Sequence, residues 1–387
     1  MGELVVVVMG QAPPSADCNV AGSGVPFVKA GEFGDVRPFI REWTTRPLRL
    51  AKRTDVLICV VGATCGKLNL GEDCAIGRSV AAVRPDPEKL DQRYLHYFLM
   101  TLVSQLRADS VGAAQTVISK EMIEAIHFPW RVVSEQRRIV AILDEAFEGI
   151  ATAKANAEKN LQNARELFES RLGHLFSDLK EDGPKTRIAD ICDIKHGYAF
   201  DGAHFSGNDD GQAPILLTPG NFAENGRLQF SERNTKRYTN TDIPRGFVLE
   251  DGDLVVVMTD LSSTMKILGK PAIVDRPQLL HNQRIGRVVS LQAGVATRYV
   301  YYFMRTAGYV RGIKRTATGT MVKHTAPTRI LDAVLPLPPI ERQAEIIDAL
   351  DEAEEQVQML ETNYQRRSAA LDELKKSLLH QAFNGAL

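Results

Sequence analysis

Two segments of the chain share one alternation of apolar and polar positions, and both are typical of long helices. From Ile139 and again from Ile346, apolar or small residues recur in alternating steps of four and three. This 3.5-residue period predicts a coiled-coil seam in each helix. The predicted seam positions are Ile139, Leu143, Ala146, Ile150 and Leu167 in the first helix, and Ile346, Leu350, Ala353, Val357, Leu360, Tyr364, Leu371 and Leu374 in the second.

The ends and the seams of these helices indicate how they are used. Ser134 is the predicted N-cap of the first helix, and prolines immediately precede the second. Each helix should span roughly 45 residues, or about 65–70 Å at 1.5 Å per residue. The first seam is rich in alanine where the second carries Leu360, Tyr364 and Leu371. Small residues facing large ones favour pairing of the two helices within the chain, while separate packing of each helix on its own domain is the alternative.

The whole chain consists of one pattern that is used twice. Gln136 aligns with Gln343, and the same offset of 207 residues holds without a gap until Phe176 aligns with Phe383. Upstream, residues 93–101 (RYLHYFLMT) match residues 298–306 (RYVYYFMRT). This period is far longer than that of solenoid repeats. The sequence therefore predicts two similar units, each a globular domain followed by a long helix.

Each globular domain is predicted to be α+β. Short β-branched runs alternate with Gly, Pro, Asn and Asp turns, and they lie at residues 4–8, 56–61, 79–83, 215–217, 254–257 and 287–291. One helix is clear in each domain, at residues 94–106 and 299–310. Long polar loops connect these elements, and such loops on a compact scaffold often carry recognition residues.

Composition and charge narrow the class of protein. The 387 residues are 44% hydrophobic and 25% charged, which is typical of soluble globular chains with two or three domains. The uncharged apolar runs are too short to span a bilayer, so we expect a cytoplasmic protein with no membrane partner. The five cysteines form no CxxC pair, which predicts reduced, mostly buried thiols. Net charge is +6 over residues 185–339 and −5 over residues 340–387, an asymmetry that the total of −1 hides.

The sequence contains no recognised catalytic motif. The stretch VGATCGKLNL (residues 61–70) approaches a phosphate-binding loop, but only three residues separate Gly62 from Gly66, and Leu68 replaces the Ser or Thr that would hold magnesium. Its repeat keeps only the Gly269-Lys270 turn. GxSxG, HExxH and a GxGxxG following a strand are absent. We therefore expect no active site, cofactor or metal on this chain.

Basic, amide and hydroxyl side chains concentrate in the predicted loops. Arg and Lys can read guanine, Asn and Gln can read adenine, and neighbouring cations can hold phosphates. The predicted DNA-binding residues are Arg46, Lys67, Arg78, Gln115, Thr116, Lys120, Lys266, Lys270, Asn282, Gln283, Arg284, Arg287, Lys314, Arg315, Thr320 and Lys323. Ordinary solvated loops are the alternative for each residue taken alone. Two similar globular domains with different loops, held apart by rigid helices, would recognise a split, asymmetric site in double-stranded DNA.

At this point the chain resembles the specificity subunit of a type I restriction–modification enzyme. The resemblance extends along essentially all of the chain. It is carried by GQAPPS from Gly10, GVPFVKAGEF from Gly24, CAIGRSVAAVRP from Cys74, GAAQTVISKEMIEAIHFP from Gly112, NQRIGR from Asn282 and LPLPPIERQAEIIDALDEAEE from Leu335. The last motif is the most specific of these.

The resemblance implies an α+β protein with two target-recognition domains, each followed by a long helix, the two helices pairing as an antiparallel coiled coil. The first domain would comprise residues 1–130 with its helix at 131–182, and the second residues 183–338 with its helix at 339–387. The helices would fix the spacing of the half-sites and dock two methyltransferase subunits, and restriction/translocase subunits are a further partner. S-adenosylmethionine, ATP and Mg²⁺ would bind those catalytic partners, which methylate adenine N6 and cleave DNA.

Two places depart from the family pattern. The first helix is entered through FPWRVVSEQ, where the second has the double proline Pro338-Pro339. Met1 aligns with Ile188, so the lead-in at residues 185–190 has almost no counterpart, and we expect an altered edge strand in the first domain. The alternative function is a non-enzymatic coiled-coil scaffold that holds two protein partners without reading DNA. Loop cations gathered on one face of each domain would favour DNA.

Overall fold

The computed structural model describes residues 1–109, 117–182, 184–206, 213–262 and 264–385. The chain forms two compact units. Unit 1 comprises Met1–Glu158 and Asn363–Leu387, and unit 2 comprises Lys159–Thr362. Both units contain sheets and helices, which confirms the α+β class. Each long helix contributes one part to unit 1 and the other part to unit 2.

Unit 1 contains two sheets. Its strands are β1 (Val5–Met9), β2 (Cys18–Asn19), β3 (Val25–Val28), β4 (Glu42–Thr44), β5 (Leu50–Ala51), β6 (Val56–Cys59), β7 (Leu68–Leu70), β8 (Cys74–Ile76) and β9 (Val80–Pro85). One sheet is antiparallel, in the order β1-β9-β6-β7. The other has the order β2-β4-β3-β8-β5, with β3 and β8 parallel. The helices that begin in this unit are α1 (Gln92–Asp109), α2 (Lys120–Glu124) and α3 (Val133–Asp182).

Unit 2 repeats both sheet orders. Its elements are β10 (Lys185–Arg187), β11 (Asp193–His196), β12 (Phe205–Ser206), β13 (Ile215–Leu217), β14 (Arg237–Tyr238), β15 (Val248–Leu249), β16 (Leu254–Val257), β17 (Thr259–Asp260), β18 (Pro271–Ile273), β19 (Leu279–His281), β20 (Ile285–Val289), α4 (Thr297–Arg305), α5 (Ala307–Thr316), β21 (Lys323–His324), α6 (Pro327–Leu331), β22 (Val334–Pro336) and α7 (Ile340–Asn384). The order β11-β20-β16-β18 matches the first sheet of unit 1, and β12-β14-β13-β19-β15 matches the second. The sequence repeat is thus a repeat of topology.

The helix predicted at residues 299–310 is broken in two by Thr306. The Thr306 backbone is extended, with ψ of 141°, and its hydroxyl accepts the Tyr309 amide at 3.3 Å. Thr306 therefore ends α4 and caps α5. In unit 1, α1 runs unbroken through 18 residues, so the prediction of a single helix holds there and is wrong in unit 2.

The long helices begin and end close to their predicted limits, except at one cap. α3 has 50 residues and α7 has 45. α3 begins at Val133, and the Val132 carbonyl accepts the amides of Glu135 and Gln136 at 2.9 and 3.1 Å. Ser134 consequently lies inside the first turn, so its prediction as N-cap is wrong.

The two long helices contact each other within each unit. In unit 1, Lys154 Nζ of α3 lies 2.6 Å from Asp372 Oδ1 of α7. In unit 2, the Arg165 guanidinium pairs with the Glu361 carboxylate. The apolar core of unit 1 joins Ile139 and Leu143 to Leu379 and Phe383, and that of unit 2 joins Phe168 and Leu172 to Ile346 and Leu350. In each unit the contacts are therefore those of antiparallel helices.

Part of the predicted seam is displaced by one residue. Leu167 is 72% exposed, and Phe168 is buried in its place, while Leu360 and Leu374 are 44% and 47% exposed. The buried residues Ile150 and Leu161 are 11 positions apart, and an 11-residue step moves the apolar stripe one position ahead of a strict heptad count. Other predicted seam residues are buried (Ile139, Leu143, Ile150, Ile346, Leu350) or half-buried (Ala146, Ala353, Val357, Tyr364, Leu371).

A buried glutamine joins each long helix to the domain that precedes it. Gln136 Oε1 accepts the Asp91 amide at 2.8 Å, and Gln136 Nε2 donates to two carbonyls, both at 2.8 Å. Gln343 makes the same three bonds: it accepts the Ala296 amide at 2.9 Å and donates to Gly294 and Pro338 at 3.0 and 2.9 Å. Both side chains are fully buried. This glutamine clamp orients each domain on its helix.

Met1 and Ile188, which the sequence repeat aligns, make corresponding hydrogen bonds in the two units. The Met1 amino group donates to the Ile126 carbonyl at 2.7 Å, as the Ile188 amide donates to Ala333 at 2.9 Å. In unit 2 the residues before Ile188 form β10, which pairs with β22.

The cysteines are mostly buried, as predicted. Four of the five cysteines are buried, and Cys18 is half-buried. Burial raises the pKa of Cys59 to about 11 and that of Cys74 to about 12, so these thiols stay protonated at neutral pH. Within the described ranges, none of the helices is both long and apolar enough to cross a membrane.

Candidate nucleic-acid interface

The turn at residues 282–284 joins the two main sheets of unit 2 and carries three predicted DNA-binding residues. Gln283 and Arg284 are exposed, and the Arg284 amide donates to Asn282 Oδ1 at 2.9 Å. The side chains of Gln283 and Arg284 have no partner in the part of the chain that the structure describes. The turn thus presents an amide and a guanidinium to solvent, and these groups can read adenine and guanine edges.

A glycine brings an aromatic segment against this turn. A Cβ at Gly197 would clash with the backbone carbonyl of Asn282, so only glycine allows the approach. The next residue, Tyr198, accepts the Gln283 amide at 3.0 Å and is 42% exposed. Its ring packs on Phe247, and Lys195 Nζ lies 4.5 Å from the Phe247 centroid. An exposed aromatic ring beside an amide and a guanidinium suits contact with a nucleobase or a sugar.

Tyr198 and Lys195 are residues that the sequence reasoning missed. A usable signal was present, because Gly197-Tyr198 follows β11 just as Gly10-Gln11 follows β1, the corresponding strand of unit 1. Hydrophobic pattern alone assigned Tyr198 no role.

In unit 1 the corresponding turn contains Arg78, and a glycine again lies against the backbone of that turn. A Cβ at Gly10 would clash with the Gly77 carbonyl, and the Gln11 amide donates to Ile76 at 2.9 Å. Arg78 is exposed in a groove of about 860 Å³ that also contains the ion pair of Lys29 with Glu42, at 2.8 Å. Two further predicted residues of this domain, Gln115 and Thr116, lie outside the described residues.

Several predicted DNA-binding residues are held by the protein itself. Lys67 Nζ donates to the Phe33 carbonyl at 2.7 Å, and Lys270 Nζ donates to the Glu224 carbonyl. The repeated Gly-Lys turn therefore anchors a loop in both units. Internal partners also engage Arg287 (Asp253, 3.0 Å), Lys120 (Glu124, 3.5 Å) and Lys323 (Gly319 carbonyl, 2.7 Å).

The remaining predicted cations of unit 2 do not all gather at the turn. Lys266, Lys270 and Lys314 line a separate pocket of about 360 Å³ with Arg305. Burial lowers the pKa of Lys270 by more than the neighbouring carboxylates of Glu224 and Glu169 raise it. Arg315 lies in another groove, and Arg46 and Thr320 are exposed in loops. The Thr320 and Lys323 segment lies near the turn, because Met258 bonds both to Arg284 and to Thr325.

His281 supports the turn and makes it sensitive to acid. Its ring is fully buried, Nε2 faces the Ile285 carbonyl at 2.9 Å, and Nδ1 has no partner among the described residues. A carbonyl can only accept, so Nε2 carries the proton of a neutral ring. Burial lowers the pKa of His281 to about 4.

We expect protonation of His281 to destabilise the protein in acid. The unfolded chain binds this proton near pH 6.5, so stability from the neutral ring is complete above that pH and is lost as the pH falls towards 4. The loss should reach on the order of 3 kcal/mol. Urea unfolding of wild type and His281→Gln at pH 7 and pH 4.5 measures it. The variant should lose less stability on acidification, and equal losses would contradict the assignment.

A comparison with protein families relates the first part of the chain to a known family. Residues 1–162 match the family described as "Type I restriction modification DNA specificity domain". The matched segment is about two fifths of the 387 residues, and it includes the Arg78 turn and the start of α3.

Curated relatives of the chain carry matching names. The chain is 30% identical over 168 residues to the provisionally named type I restriction enzyme MjaX specificity subunit of Methanocaldococcus jannaschii, covering 43% of this chain and 39% of that one. It is 20% identical over 357 residues to the MjaVIII specificity subunit of the same organism, covering 87% and 80%. It is 24% identical over 225 residues to the EcoBI specificity subunit of Escherichia coli, covering 58% and 43%. The matches thus span about two fifths of the MjaX and EcoBI subunits.

Solved structures share the fold of the chain. One is a chain from a study of complex assembly and conformational transition of the type I R-M system, with a TM-score of 0.77, 16% identity, and coverage of 100% of this chain and 97% of that one. Another is the HsdS subunit from Thermoanaerobacter tengcongensis, with a TM-score of 0.56, 16% identity, and coverage of 100% and 96%. In the part of the chain that the structure describes, no group of three or more His, Cys, Asp or Glu side chains could hold a metal ion.

Proposed function

We propose that this chain is the DNA sequence-specificity subunit of a type I restriction–modification complex. Unit 1 and unit 2 each read one half of a bipartite, asymmetric DNA site. One observation carries this proposal: both units place a glycine against the same inter-sheet turn, yet the turns expose different side chains. Arg78 is exposed in unit 1, and Gln283 with Arg284 in unit 2. A common scaffold with different exposed groups accounts for two half-sites of different sequence.

The predicted DNA-binding residues divide into two roles in this proposal. Arg78, Gln283 and Arg284 contact base edges, with Tyr198 beside them. Lys266 and Lys314 hold phosphates, and Lys67 and Lys270 keep a loop in place for binding. Loop cations therefore contribute affinity, while the turns contribute sequence readout.

The two long helices act as an antiparallel coiled-coil spacer. Support comes from the interhelical ion pairs of Lys154 with Asp372 and of Arg165 with Glu361. The net charge of −5 over residues 340–387 suits a protein-binding surface and opposes DNA binding. The helices accordingly separate recognition domains at residues 1–130 and 183–338 and dock two methyltransferase subunits.

Catalysis belongs to the partner subunits. The methyltransferases bind S-adenosylmethionine and methylate adenine N6, and restriction subunits use ATP and Mg²⁺ to move and cleave DNA. This chain supplies specificity and no catalytic group. The complex works in the cytoplasm, where its DNA is.

Adenine-methylation mapping by single-molecule sequencing tests the proposal. A methylation-free host expresses the chain with its methyltransferase subunit. We expect one bipartite asymmetric motif that appears only when both proteins are present. Replacing residues 185–334 with those of a related subunit should change one half of the motif and leave the other unchanged. A stable complex without any motif would instead support a scaffold that does not read DNA.

Substitution within the unit 2 turn sharpens this test. Arg284→Ala should lower methylation of the motif about 10-fold and relax one position of one half-site, because a bidentate guanidinium–guanine contact is lost. Arg276→Ala is the matched control, since Arg276 is a surface arginine of the same unit that pairs with its neighbour Asp275 at 3.2 Å. Equal methylation by the two variants would exclude Arg284 from base readout.

A further inference from the structure

Unit 2 carries a groove that the proposed DNA contacts do not use. Its volume is about 740 Å³, and it is bordered by α5, by the later part of α3 and by the segment from α6 to β22. Small and apolar residues face it, among them Ala307, Gly308 and Val334, and Val334 is 51% exposed. We refer to this feature as the α5 groove.

Three glycines within helices line the α5 groove without an internal reason. Gly308 and Gly312 lie one turn apart on α5, and Gly173 lies on α3. A Cβ at any of the three would meet no atom within 4 Å. Glycine weakens a helix relative to alanine, so packing inside the chain does not account for these residues. These positions leave room for the backbone of another molecule to approach the helix closely.

The rim of the α5 groove is basic and largely unpaired. Lys185, Arg311 and Arg315 line it, and none has a carboxylate partner in the described ranges. Among the described residues, the Arg329 guanidinium reaches only the Thr318 hydroxyl, at 3.5 Å. Of the lining residues whose side chains the structure describes, Asp332 is the single carboxylate, and it is paired with Arg187 at 2.6 Å. The groove therefore complements a partner with several carboxylates.

The glycines that line the α5 groove in unit 2 have no glycine counterparts at the aligned positions of unit 1. The residue aligned with Gly173 is His380, and α1 is unbroken where unit 2 divides into α4 and α5. A partner that uses these glycines thus contacts the chain at one place.

We propose that the α5 groove docks an acidic, amphipathic helix of the methyltransferase subunit. Small or apolar residues of that helix pack against Gly308 and Gly312, and its carboxylates pair with Lys185, Arg311 and Arg315. The assignment rests on the proposed function, which supplies the partner. A DNA backbone would also use the cations, but it would not use the apolar surface of Ala307 and Val334.

Binding of the full chain to the methyltransferase subunit, measured by calorimetry, tests the docking site. In Gly308→Ala/Gly312→Ala, we expect an unfolding temperature that is unchanged or a few degrees higher and an affinity at least 10-fold lower. A variant that lost affinity because the groove was destabilised would also unfold at a lower temperature, so an unchanged or higher unfolding temperature excludes that explanation. Gly31→Ala is the control, because a Cβ at Gly31 also meets no atom within 4 Å but lies outside the groove. It should bind like wild type.

Charge reversal provides the second arm. Lys185→Glu/Arg311→Glu should weaken methyltransferase binding at least 10-fold and leave the affinity of the isolated chain for duplex DNA within about twofold, because neither residue is among the predicted DNA contacts. Unchanged methyltransferase affinity in both double variants would overturn the docking site, and weaker DNA binding instead would assign the groove to a phosphate backbone. Failure of the wild-type complex to form or to methylate a motif would reject the proposed function itself, which is a separate outcome.

Discussion

Replacing Gln343 with alanine will lower the free energy of unfolding by about 3 kcal/mol. The change removes three hydrogen bonds around a fully buried side chain. It leaves the buried Pro338 carbonyl and the half-buried Ala296 amide without these partners, while Gly294 is exposed to water. A buried polar group without a partner typically costs about 1–3 kcal/mol, so these two groups account for a loss of about 3 kcal/mol. Urea unfolding followed by circular dichroism measures the loss.

Gln365→Ala is the matched control for this loss. Gln365 lies on the same helix but is exposed, so its replacement should change stability by less than about 0.5 kcal/mol. Gln343→Glu keeps the acceptor but sets a buried carboxylate against two carbonyl oxygens, so at neutral pH it should destabilise the protein at least as much as Gln343→Ala. A Gln343→Ala variant as stable as Gln365→Ala would show that the glutamine clamp contributes little to stability.

Arg305→Met should destabilise the protein by about 3–5 kcal/mol, because it leaves a nearly buried carboxylate without its main partner. Arg305 Nη1 lies 2.8 Å from Glu354 Oε1, and the two side chains are only 7% and 12% exposed. The guanidinium also donates to the Tyr301 hydroxyl at 2.8 Å and lies over the Phe168 ring, 4.7 Å from its centroid. This pair connects α4 to α7 within unit 2.

A double-mutant cycle separates the energy of the Arg305–Glu354 interaction from the cost of leaving Glu354 buried and unpaired. Arg305→Met/Glu354→Leu removes both charges and should recover much of the loss, since an apolar pair can replace a buried ion pair. Denaturant unfolding of the two single variants and the double variant gives the coupling energy. If the double variant were as unstable as the sum of the singles, the stranded Glu354 charge could not be the cause.

The repeat and the periodicity predicted most of the architecture. Two α+β domains and two long helices follow from patterns that record which face of an element is buried. The same patterns could not locate the 11-residue step between Ile150 and Leu161, because a strict heptad count accumulates an error along a straight helix. They also missed the break at Thr306, where a side-chain cap overrides a continuous apolar pattern.

The sequence predicted less of the candidate interface than of the fold. Residue type selected exposed candidates such as Arg78 and Arg284, but it could not separate them from Lys67 and Lys270, which bond to carbonyls of loops distant in sequence. Partners of this kind depend on tertiary contacts that neither composition nor spacing encodes. Tyr198 was missed for a related reason: its exposure follows from the close approach of Gly197 to the Asn282 turn.

The division of the chain between the units has a consequence for its synthesis. Unit 1 needs the last helix, because Phe383 packs on Tyr94 and Phe98 with ring centroids 5.0 and 5.3 Å apart. Unit 2 ends at Thr362 and is complete earlier. On the ribosome, where domains usually fold in order from the N-terminus, the first domain made is thus the last to close its core. A nascent chain that stalls before Phe383 would leave an apolar slot open in its N-terminal domain, a natural target for chaperones.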